Sequence, residues 1–259
     1  MPICIAGMHR SGTSMVSRLI HLCGLYLGPE GELSPPAPDN QEGFWENIHF
    51  VEMNDKILAQ FDGGWDLAPT VPEGWELRPE MRVLRAEAAD LIQRFTPHEP
   101  WGWKDPRNSL TLPFWMRLIP NLKVVNCLRN PLEVAQSLQL RGFSSIAFGL
   151  NLWLKYHQHV LSTVRAEDRV VTHYDAYFYD PKAELRRVLD LLNIRASKKQ
   201  IDQACSAASA NLRHQRLATE VLSSELPPDI WKCYVELCAE AGPIYQMALR
   251  KEITAINTS

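Results

Sequence analysis

The feature that most constrains the fold is the segment from Gly7 to Ser14, which reads G-M-H-R-S-G-T-S. A short apolar run, Ile3 to Ala6, precedes it and is typical of a buried parallel strand. Apolar residues then recur at helical spacing from Thr13 to Cys23. A strand, a glycine loop and a helix in this order predict an anion site, because the loop N–H groups and the helix N-terminus point at one ligand.

The loop is close to the nucleoside-triphosphate motif G-x-x-x-x-G-K-[ST] but departs from it at one position. Thr13 stands where that motif has lysine, and the cation lies earlier, at Arg10. The clearest central strand, Leu122 to Leu128, is followed by Arg129. Nucleotide kinases and GTPases need an acidic residue after such a strand to organise magnesium. The segment therefore predicts phosphate binding without the residues of a magnesium-held triphosphate site.

Strand-like and helix-like segments alternate along the chain, which predicts a mostly parallel sheet with right-handed crossovers. Strands are predicted at Ile3–Ala6, Trp101–Lys104, Leu122–Leu128 and Val170–Tyr174. Helices are predicted at Thr13–Cys23, Asn47–Phe61, Glu80–Phe95, Leu110–Ile119, Leu132–Leu140, Ile146–Arg165 and Lys182–Leu192. Two long loops are expected at 24–43 and 63–79, and a helical C-terminal part at about 195–259, with breaks near Pro227-Pro228 and Gly242-Pro243.

Composition narrows the function further. The 259 residues and 46% hydrophobic content suit one α/β domain over residues 1–259, with two compact lobes as the alternative. The formal net charge of -3 argues against a nucleic-acid partner, so any phosphate site must be built locally. No apolar run is long enough to span a membrane, and six scattered cysteines do not suggest a disulfide framework. A cytoplasmic protein is expected, and no feature specifies its oligomeric state.

Three further motifs accompany the glycine loop. They are W-G-W-K-D-P-R at Trp101–Arg107, V-V-N-C-L-R-N-P-L-E-V-A-Q-S at Val124–Ser137, and H-Y-D at His173–Asp175 followed by D-P at Asp180-Pro181. With R-S-G-T-S at Arg10–Ser14, they resemble the sulfotransferase superfamily that uses 3'-phosphoadenosine-5'-phosphosulfate (PAPS). The matches run from residue 3 to about residue 190.

The resemblance implies a fold, a reaction and a donor. The fold is a P-loop-like, three-layer α/β structure with about five parallel strands and helices on both faces. The reaction moves a sulfuryl group from PAPS to a hydroxyl or amine of a carbohydrate or small metabolite and leaves adenosine 3',5'-bisphosphate (PAP), without a metal. The residues that match the family's donor-binding elements are His9, Arg10, Ser11, Gly12, Thr13, Ser14, Arg129 and Ser137.

Sulfuryl transfer builds negative charge on the bridging oxygen of the leaving phosphate, so cations are expected there. Arg10 and Lys104 are the candidates, and Lys104 ends a predicted strand, where parallel sheets bind ligands. Many members of the family carry a histidine two residues after this lysine, but here that residue is Pro106. Glu46 is the first candidate for the base, with a role as a helix cap as the alternative. Other candidate bases are Glu30, Glu32, Asp105, His9 and His49.

Several residues keep two interpretations. Arg107 either contacts phosphate or pairs with Asp105. The three tryptophans that either stack on a ligand or pack in the interior are Trp45, Trp65 and Trp103. Arg213 and His214 lie where the family often has a late basic 3'-phosphate loop, although its usual arginine-lysine-glycine signature is missing.

Two other functions remain as alternatives to a sulfotransferase. A kinase with a degenerate phosphate loop would depend on magnesium and ATP. A nucleotide-binding module without catalysis would explain the missing histidine.

Overall fold

The structure is a computed structural model that describes residues 1–37, 40, 43–142, 145–207 and 226–248. A parallel sheet in the order β2-β1-β3-β4 forms its centre. The strands are β1 Pro2–Ala6, β2 Trp101–Lys104, β3 Lys123–Leu128 and β4 Arg169–His173. All four predicted strands are therefore confirmed. Where the resemblance implied about five strands, the sheet in the described part of the chain has four.

Helices fill the intervals between the strands and the described part of the C-terminal region. They are α1 Thr13–Leu22, α2 Ile48–Ala59, α3 Arg82–Phe95, α4 Asn108–Leu118, α5 Pro131–Gln139, α6 Ile146–Thr163, α7 Ala176–Tyr179, α8 Pro181–Leu191, α9 Lys198–Ala207 and α10 Pro228–Glu240. Residues 242–248 are also helical. Within the described ranges, no helix has both the length and the apolar character that crossing a membrane requires.

The two faces of the sheet are covered by different helices, as the alternation of side chains along a strand requires. On one face, Ile3 and Ile5 of β1 pack with apolar residues of α1, α8 and α9. On the other, Cys4 and Ala6 pack with α2, α3 and α4. β1 is buried along its whole length. The predicted three-layer α/β fold is thus confirmed.

The register of the sheet brings four chain segments to one edge. Ile5 of β1 lies beside Lys104 on one side and Val125 on the other. Leu128 of β3 lies beside His173 of β4. Because the strands are parallel, the loop after β1, Lys104, the residue after β3 and the residue after β4 all lie at their carboxyl ends, where such sheets bind ligands.

Two asparagines fix where helices begin near this edge. The Asn47 side chain accepts a hydrogen bond from the His49 N–H at the start of α2. Asn130 does the same for the first N–H groups of α5, whose first residue is Pro131. Both arrangements satisfy N–H groups that a helix start leaves without partners. Since Asn47 is the cap, the alternative role of Glu46 as a cap is wrong.

The predicted helical character of the C-terminal part holds for 198–207, 228–240 and 242–248. The break at Pro227-Pro228 is confirmed, because α10 begins at Pro228. Gly242 has φ 83° at the second predicted break. Arg213 and His214 lie outside the described residues, and the single domain over residues 1–259 stays a prediction.

Candidate active site

The loop between β1 and α1 adopts a tight path that only its sequence allows. Gly7, Arg10 and Gly12 have φ values of 127°, 72° and 83°, in the region that favours glycine. A Cβ on Gly7 would lie 2.5 Å from the Cys127 carbonyl oxygen, and one on Gly12 would lie 2.4 Å from the Tyr174 ring. The two glycines are thus needed because β3 and Tyr174 press against the loop.

Lys104 and Glu46, both predicted to be catalytic, meet at the end of β2. The Lys104 side chain is 2% exposed, and its Nζ lies 2.6 Å from Glu46 Oε1. It also donates to the Phe44 carbonyl at 3.1 Å and to Ser14 Oγ at 3.2 Å. Ser14 is the last residue of the Gly7–Ser14 loop, which the sequence predicts to bind phosphate and which is called the phosphate loop below. One buried lysine therefore joins the loop, the strand end and the candidate base.

A buried polar network holds the backbone after Lys104. Asp105 is fully buried and accepts a hydrogen bond from Asn54 Nδ2 at 2.8 Å. Asn54 also donates to Asn108 Oδ1 at 2.8 Å. Burial raises the pKa of Asp105 to about 6; the nearby Arg107 opposes this rise and Glu46 adds to it. Since its carboxylate is used within the network, Asp105 is a structural residue and not an accessible base.

Arg10, Arg129 and Ser137 form a second group at the same edge. Arg10 Nε donates to Ser137 Oγ at 2.9 Å, and Arg129 donates to the Arg10 carbonyl at 3.2 Å. Arg129 is ion-paired with Glu133 at 2.8 Å, and its guanidinium lies 4.5 Å from the centre of the Tyr174 ring. The predicted pair of Arg129 and Ser137 is thus brought together. Arg10, predicted both to bind the donor and to act with Lys104 on the bridging oxygen, contacts Ser137, and both roles stay predictions.

The sequence analysis missed Arg141, which adds a third arginine charge to this group. Burial, followed by the charge of Arg10, lowers the pKa of Arg141 to about 10. Burial and the charge of Arg129 lower the pKa of Arg10 as well. Like charges gathered in partly buried positions favour an anionic ligand. Arg141 follows Ser137 by four residues in the sequence and lies in the turn just after α5 ends at Gln139.

Tyr174 is the other residue that the sequence analysis undervalued. It immediately follows β4 and its N–H donates to the Leu128 carbonyl at 2.8 Å. Its ring contacts both the loop at Gly12 and the guanidinium of Arg129. The weak H-Y-D match of the sequence marks this position, although spacing alone did not indicate what the ring contacts.

The remaining loop residues differ in what they contact. The Ser11 hydroxyl is buried and has no protein partner, and Thr13 is buried at the start of α1. The centres of the His9 and Trp65 rings are 4.7 Å apart. Burial, followed by the charges of Arg107 and other cations nearby, lowers the pKa of His9 well below its ordinary value.

The other candidate bases are placed less favourably than Glu46. Glu32 accepts hydrogen bonds from Arg94 at 2.5 Å and from Asn47 at 3.1 Å, so its carboxylate anchors the chain before α2. His49 lies 3.6 Å from Glu32. Glu30 is exposed in a short 3-10 turn.

Arg107 pairs with Asp105 at 3.0 Å and with Asp55 at 2.7 Å, which supports pairing over phosphate contact.

The tryptophans divide between core and site. Trp103 is fully buried and stacks on Phe50 at 4.5 Å, so it cannot stack on a ligand. Trp45 lies 5.3 Å from the His21 ring and is partly exposed. Trp65 is partly exposed and close to His9.

Across the described ranges, no three His, Cys, Asp or Glu side chains gather as a metal site would require, and independence from metal stays a prediction.

Several solved sulfotransferases have a similar fold. The sulfotransferase domain of the Synechococcus PCC 7002 olefin synthase matches with TM-score 0.54 and 16% identity. The match covers 92% of this chain and 93% of that domain. The sulfotransferase domain from the curacin biosynthetic pathway matches over 92% and 98%, with TM-score 0.54 and 15% identity. Sulfotransferase STF9 from Mycobacterium avium matches over 96% and 76%, with TM-score 0.51 and 14% identity.

At these identities the likeness establishes the fold alone. No curated protein matches the chain in sequence. The model of the sulfotransferase family matches residues 2–198, which include the phosphate loop, Lys104, Arg129, Ser137 and Tyr174. The chain therefore belongs to the sulfotransferase family and is an enzyme of sulfuryl transfer.

Proposed function

We propose that the enzyme takes its sulfuryl group from PAPS and transfers it to a hydroxyl or amine of a small metabolite or carbohydrate. The observation that carries this proposal is that basic side chains lie in two separate places at one sheet edge. One is the buried Lys104–Glu46 pair beside Ser14, and the other is the cluster of Arg10, Arg129 and Ser137. PAPS carries two separate phosphate groups, at the 5' and 3' positions.

The loop residues fit the 5' end of such a donor. The unpartnered, buried Ser11 hydroxyl and the N–H groups at the start of α1 would hold the phosphosulfate. Lys104, joined to Ser14 at 3.2 Å, would lie beside it. Arg129 and Ser137 would hold the 3'-phosphate, with Arg141 adding charge. Charge-assisted hydrogen bonds are worth about 1.5–3 kcal/mol each, so the cluster would supply much of the donor affinity.

Glu46 and Lys104 have complementary roles in the transfer. PAPS supplies an activated sulfuryl group. The Glu46 carboxylate accepts the proton of the acceptor group as the acceptor oxygen or nitrogen bonds to sulfur. The bond from sulfur to the bridging oxygen breaks, and its electron pair stays on the 5'-phosphate oxygen. Lys104 stabilises that developing charge through its ammonium group.

The ion pair with Lys104 also positions the Glu46 carboxylate at the end of β2. The Glu46 side chain is 13% exposed, and its contact with the buried Lys104 ammonium at 2.6 Å holds the carboxylate in place. When an anionic donor attracts Lys104, Glu46 is left to accept a proton. A nucleotide-binding module without catalysis would not need this pair.

The kinase alternative is less well supported. The residue after β3 is Arg129, where a magnesium-dependent enzyme would use an acid. The acid after β2, Asp105, is fully buried and bonded to Asn54 and Arg107. Neither position offers an accessible carboxylate beside the loop.

The proposal is tested by exchanging Glu46 for glutamine. Turnover is measured as PAP released from PAPS with a panel of alcohols, phenols, sugars and amines. We expect Glu46→Gln to lower kcat by about 100-fold or more, because general base catalysis contributes roughly that much. Its affinity for PAP should remain, since the phosphate-binding residues are unchanged.

The matched control is Glu32→Gln, which alters a carboxylate bonded to Arg94 and Asn47. We expect it to keep full turnover. Wild-type turnover by Glu46→Gln, or an equal loss in the two variants, would remove Glu46 from the role of base. Absence of PAP release by the wild-type protein with every acceptor, together with no PAP binding, would contradict the use of PAPS.

A further inference from the structure

Ser109 lies in the first turn of α4 and contacts the first residue of the phosphate loop. Its hydroxyl oxygen accepts a hydrogen bond from the Gly7 N–H at 3.0 Å, across 102 positions of the chain. Ser109 is fully buried, and Gly7 is buried as well. Ser109 follows the W-G-W-K-D-P-R motif by two residues, so none of the sequence motifs includes it.

The Gly7 N–H needs this partner because the chain leaves the sheet at Gly7. β1 ends at Ala6, and Gly7 has a φ of 127°. Its backbone passes so close to β3 that a Cβ would lie 2.5 Å from the Cys127 carbonyl oxygen. A buried N–H without a partner is costly, and here a side chain from another element supplies the acceptor. Ser109 therefore fixes the point at which the loop leaves the sheet.

The chain segment that carries Ser109 also carries Lys104, five residues earlier. Two hydrogen bonds hold this segment on β1. The Asp105 N–H donates to the Ile5 carbonyl at 3.2 Å, and the Asn108 side-chain amide donates to the same carbonyl at 3.1 Å. Both contacts lie between Lys104 and Ser109 in the chain, so these two residues are fixed relative to each other and to β1.

Hydrogen bonds connect the phosphate loop to this segment at both ends of the loop. Gly7 donates to Ser109 at the first end, and Ser14 accepts from Lys104 Nζ at 3.2 Å at the last. The loop proposed to hold the phosphosulfate is thus held against the ammonium proposed to stabilise the leaving oxygen. A misplacement of about 1 Å in such an arrangement can cost about 100-fold in rate.

We propose that Ser109 is a positioning residue for sulfuryl transfer, which sets the phosphate loop against Lys104 by holding Gly7. With the loop in this place, the bridging oxygen of the donor lies at the Lys104 ammonium. Ser109 is fully buried and acts through Gly7, not by touching the donor. This inference rests on the proposed transfer from PAPS and on the role proposed there for Lys104.

The first test is Ser109→Ala, which leaves the Gly7 N–H without its acceptor. We expect kcat to fall about 10- to 100-fold, because the loop is displaced from Lys104. PAP affinity should stay close to that of wild type, since the 3'-phosphate residues and the start of α1 are unchanged. Thermal unfolding, measured alongside, shows that the variant is folded.

Ser17→Ala is the matched control. Ser17 is also fully buried, but its hydroxyl oxygen has no hydrogen-bond partner in the protein. The same atoms are therefore removed from a neighbouring element without loss of a contact to the loop. We expect Ser17→Ala to keep wild-type kcat and PAP affinity.

A spectroscopic measurement follows the hydrogen bond itself. Labelling with ¹³C-carbonyl alanine and ¹⁵N-glycine selects glycine amides that follow an alanine, which in this chain are Gly7 and Gly242. We expect Ser109→Ala to move one of these two amide protons upfield and to speed its exchange with solvent, while the other keeps its place. Ser17→Ala should leave the exchange of both unchanged.

A double-mutant cycle distinguishes positioning from a general structural role. If Ser109 acts by setting the loop against Lys104, its removal matters little once the Lys104 charge is gone. In the Lys104→Met background, Ser109→Ala should lower kcat further by no more than about twofold. A residue that only stabilises the fold would cost the same factor in both backgrounds.

Wild-type kcat in Ser109→Ala, or equal factors in the two backgrounds, would overturn the inference. A loss of PAP affinity as large as the loss of kcat would overturn it as well, since the loop would then have lost its binding conformation. Failure of the wild-type protein to bind PAP, or wild-type kcat in Lys104→Met, would instead contradict the proposed function.

Discussion

Lys104 places a full positive charge in the interior at the end of β2, with a side chain only 2% exposed. Removing a charge from water costs several kcal/mol, and pairing often repays only part of that cost. The pair with Glu46 is thus weak evidence of a stabilising role. Its position beside Ser14 of the phosphate loop fits a role in catalysis instead.

Replacing Lys104 with methionine tests that role. Methionine keeps about the length of the side chain and removes the charge; because Glu46 then loses its partner, thermal unfolding is measured alongside to show that the variant is folded. We expect kcat to fall about 100- to 1000-fold, as is typical when one stabilising group is removed. PAP affinity, measured by calorimetry, should change less than tenfold because Arg129 and Ser137 remain.

Lys123→Met is the matched control, since Lys123 lies at the opposite end of β3, on the far side of β1 from β2, and pairs with Asp168 at 2.9 Å. It should leave kcat unchanged. If Lys104→Met retained wild-type kcat, the lysine would have no part in stabilising the leaving group.

The residues that sequence could identify were those fixed by spacing within one motif. Arg129 and Ser137 lie on one strand-loop-helix unit and were picked out by the family resemblance of that unit, and Lys104 by its place at a strand end; their roles stay predictions. The contact of Arg10 with Ser137 joins positions 127 residues apart in the chain. No local pattern contains such a contact, so the sequence alone did not predict it.

Among the elements, α6 carries the least expected side chain. His157 is fully buried, and neither of its ring nitrogens has a hydrogen-bond partner. The Trp153 ring lies 4.4 Å away, one turn earlier on the same helix. Burial lowers the pKa of His157 to about 3, so the folded protein holds it neutral.

This histidine predicts a pH dependence of stability. Its pKa in the folded state lies below the ordinary value of about 6.5, so its neutral form favours folding fully above pH 6.5. As pH falls below 6.5 the unfolded chain gains a proton that the folded chain cannot, and stability is lost at up to about 1.4 kcal/mol per pH unit.

We expect His157→Leu to be at least as stable as wild type at pH 7.5 and increasingly more stable between pH 6.5 and pH 5. The free energy of unfolding in urea, at half-unit pH steps, measures this. His157→Gln is the control, because it removes the titration but keeps a buried polar group. Parallel pH profiles of wild type and His157→Leu would show that His157 titrates normally.

Elements were predictable where periodicity was strong and less so in the loops. Each strand boundary was correct within one residue, because buried parallel strands read as short apolar runs. The segment 63–79, predicted as a loop, contains a 3-10 turn at Trp75–Leu77 with Trp75 buried. Its order comes from packing of Trp75 against Phe61 and Phe114, which no local pattern reveals.

At the scale of the whole molecule, a chain of net charge -3 gathers cations at one edge of its sheet. The parallel topology explains this, because every strand delivers its following residue to the same edge. Alternation of strands and helices made that edge predictable from the sequence. The sequence did not predict that the cations form two groups, since this division depends on which side chains meet across strands.

The central claim is that the edge holds a donor with separate 5' and 3' phosphate groups. Isothermal titration calorimetry with PAP, adenosine 5'-monophosphate and magnesium-ATP tests it most directly, on the wild-type protein and on Arg129→Ala. We predict that PAP binds more tightly than magnesium-ATP. Arg129→Ala should weaken PAP about 10- to 100-fold and leave the monophosphate nearly unchanged, because only PAP has a 3'-phosphate. Tighter binding of magnesium-ATP, or equal losses for PAP and the monophosphate, would contradict the claim.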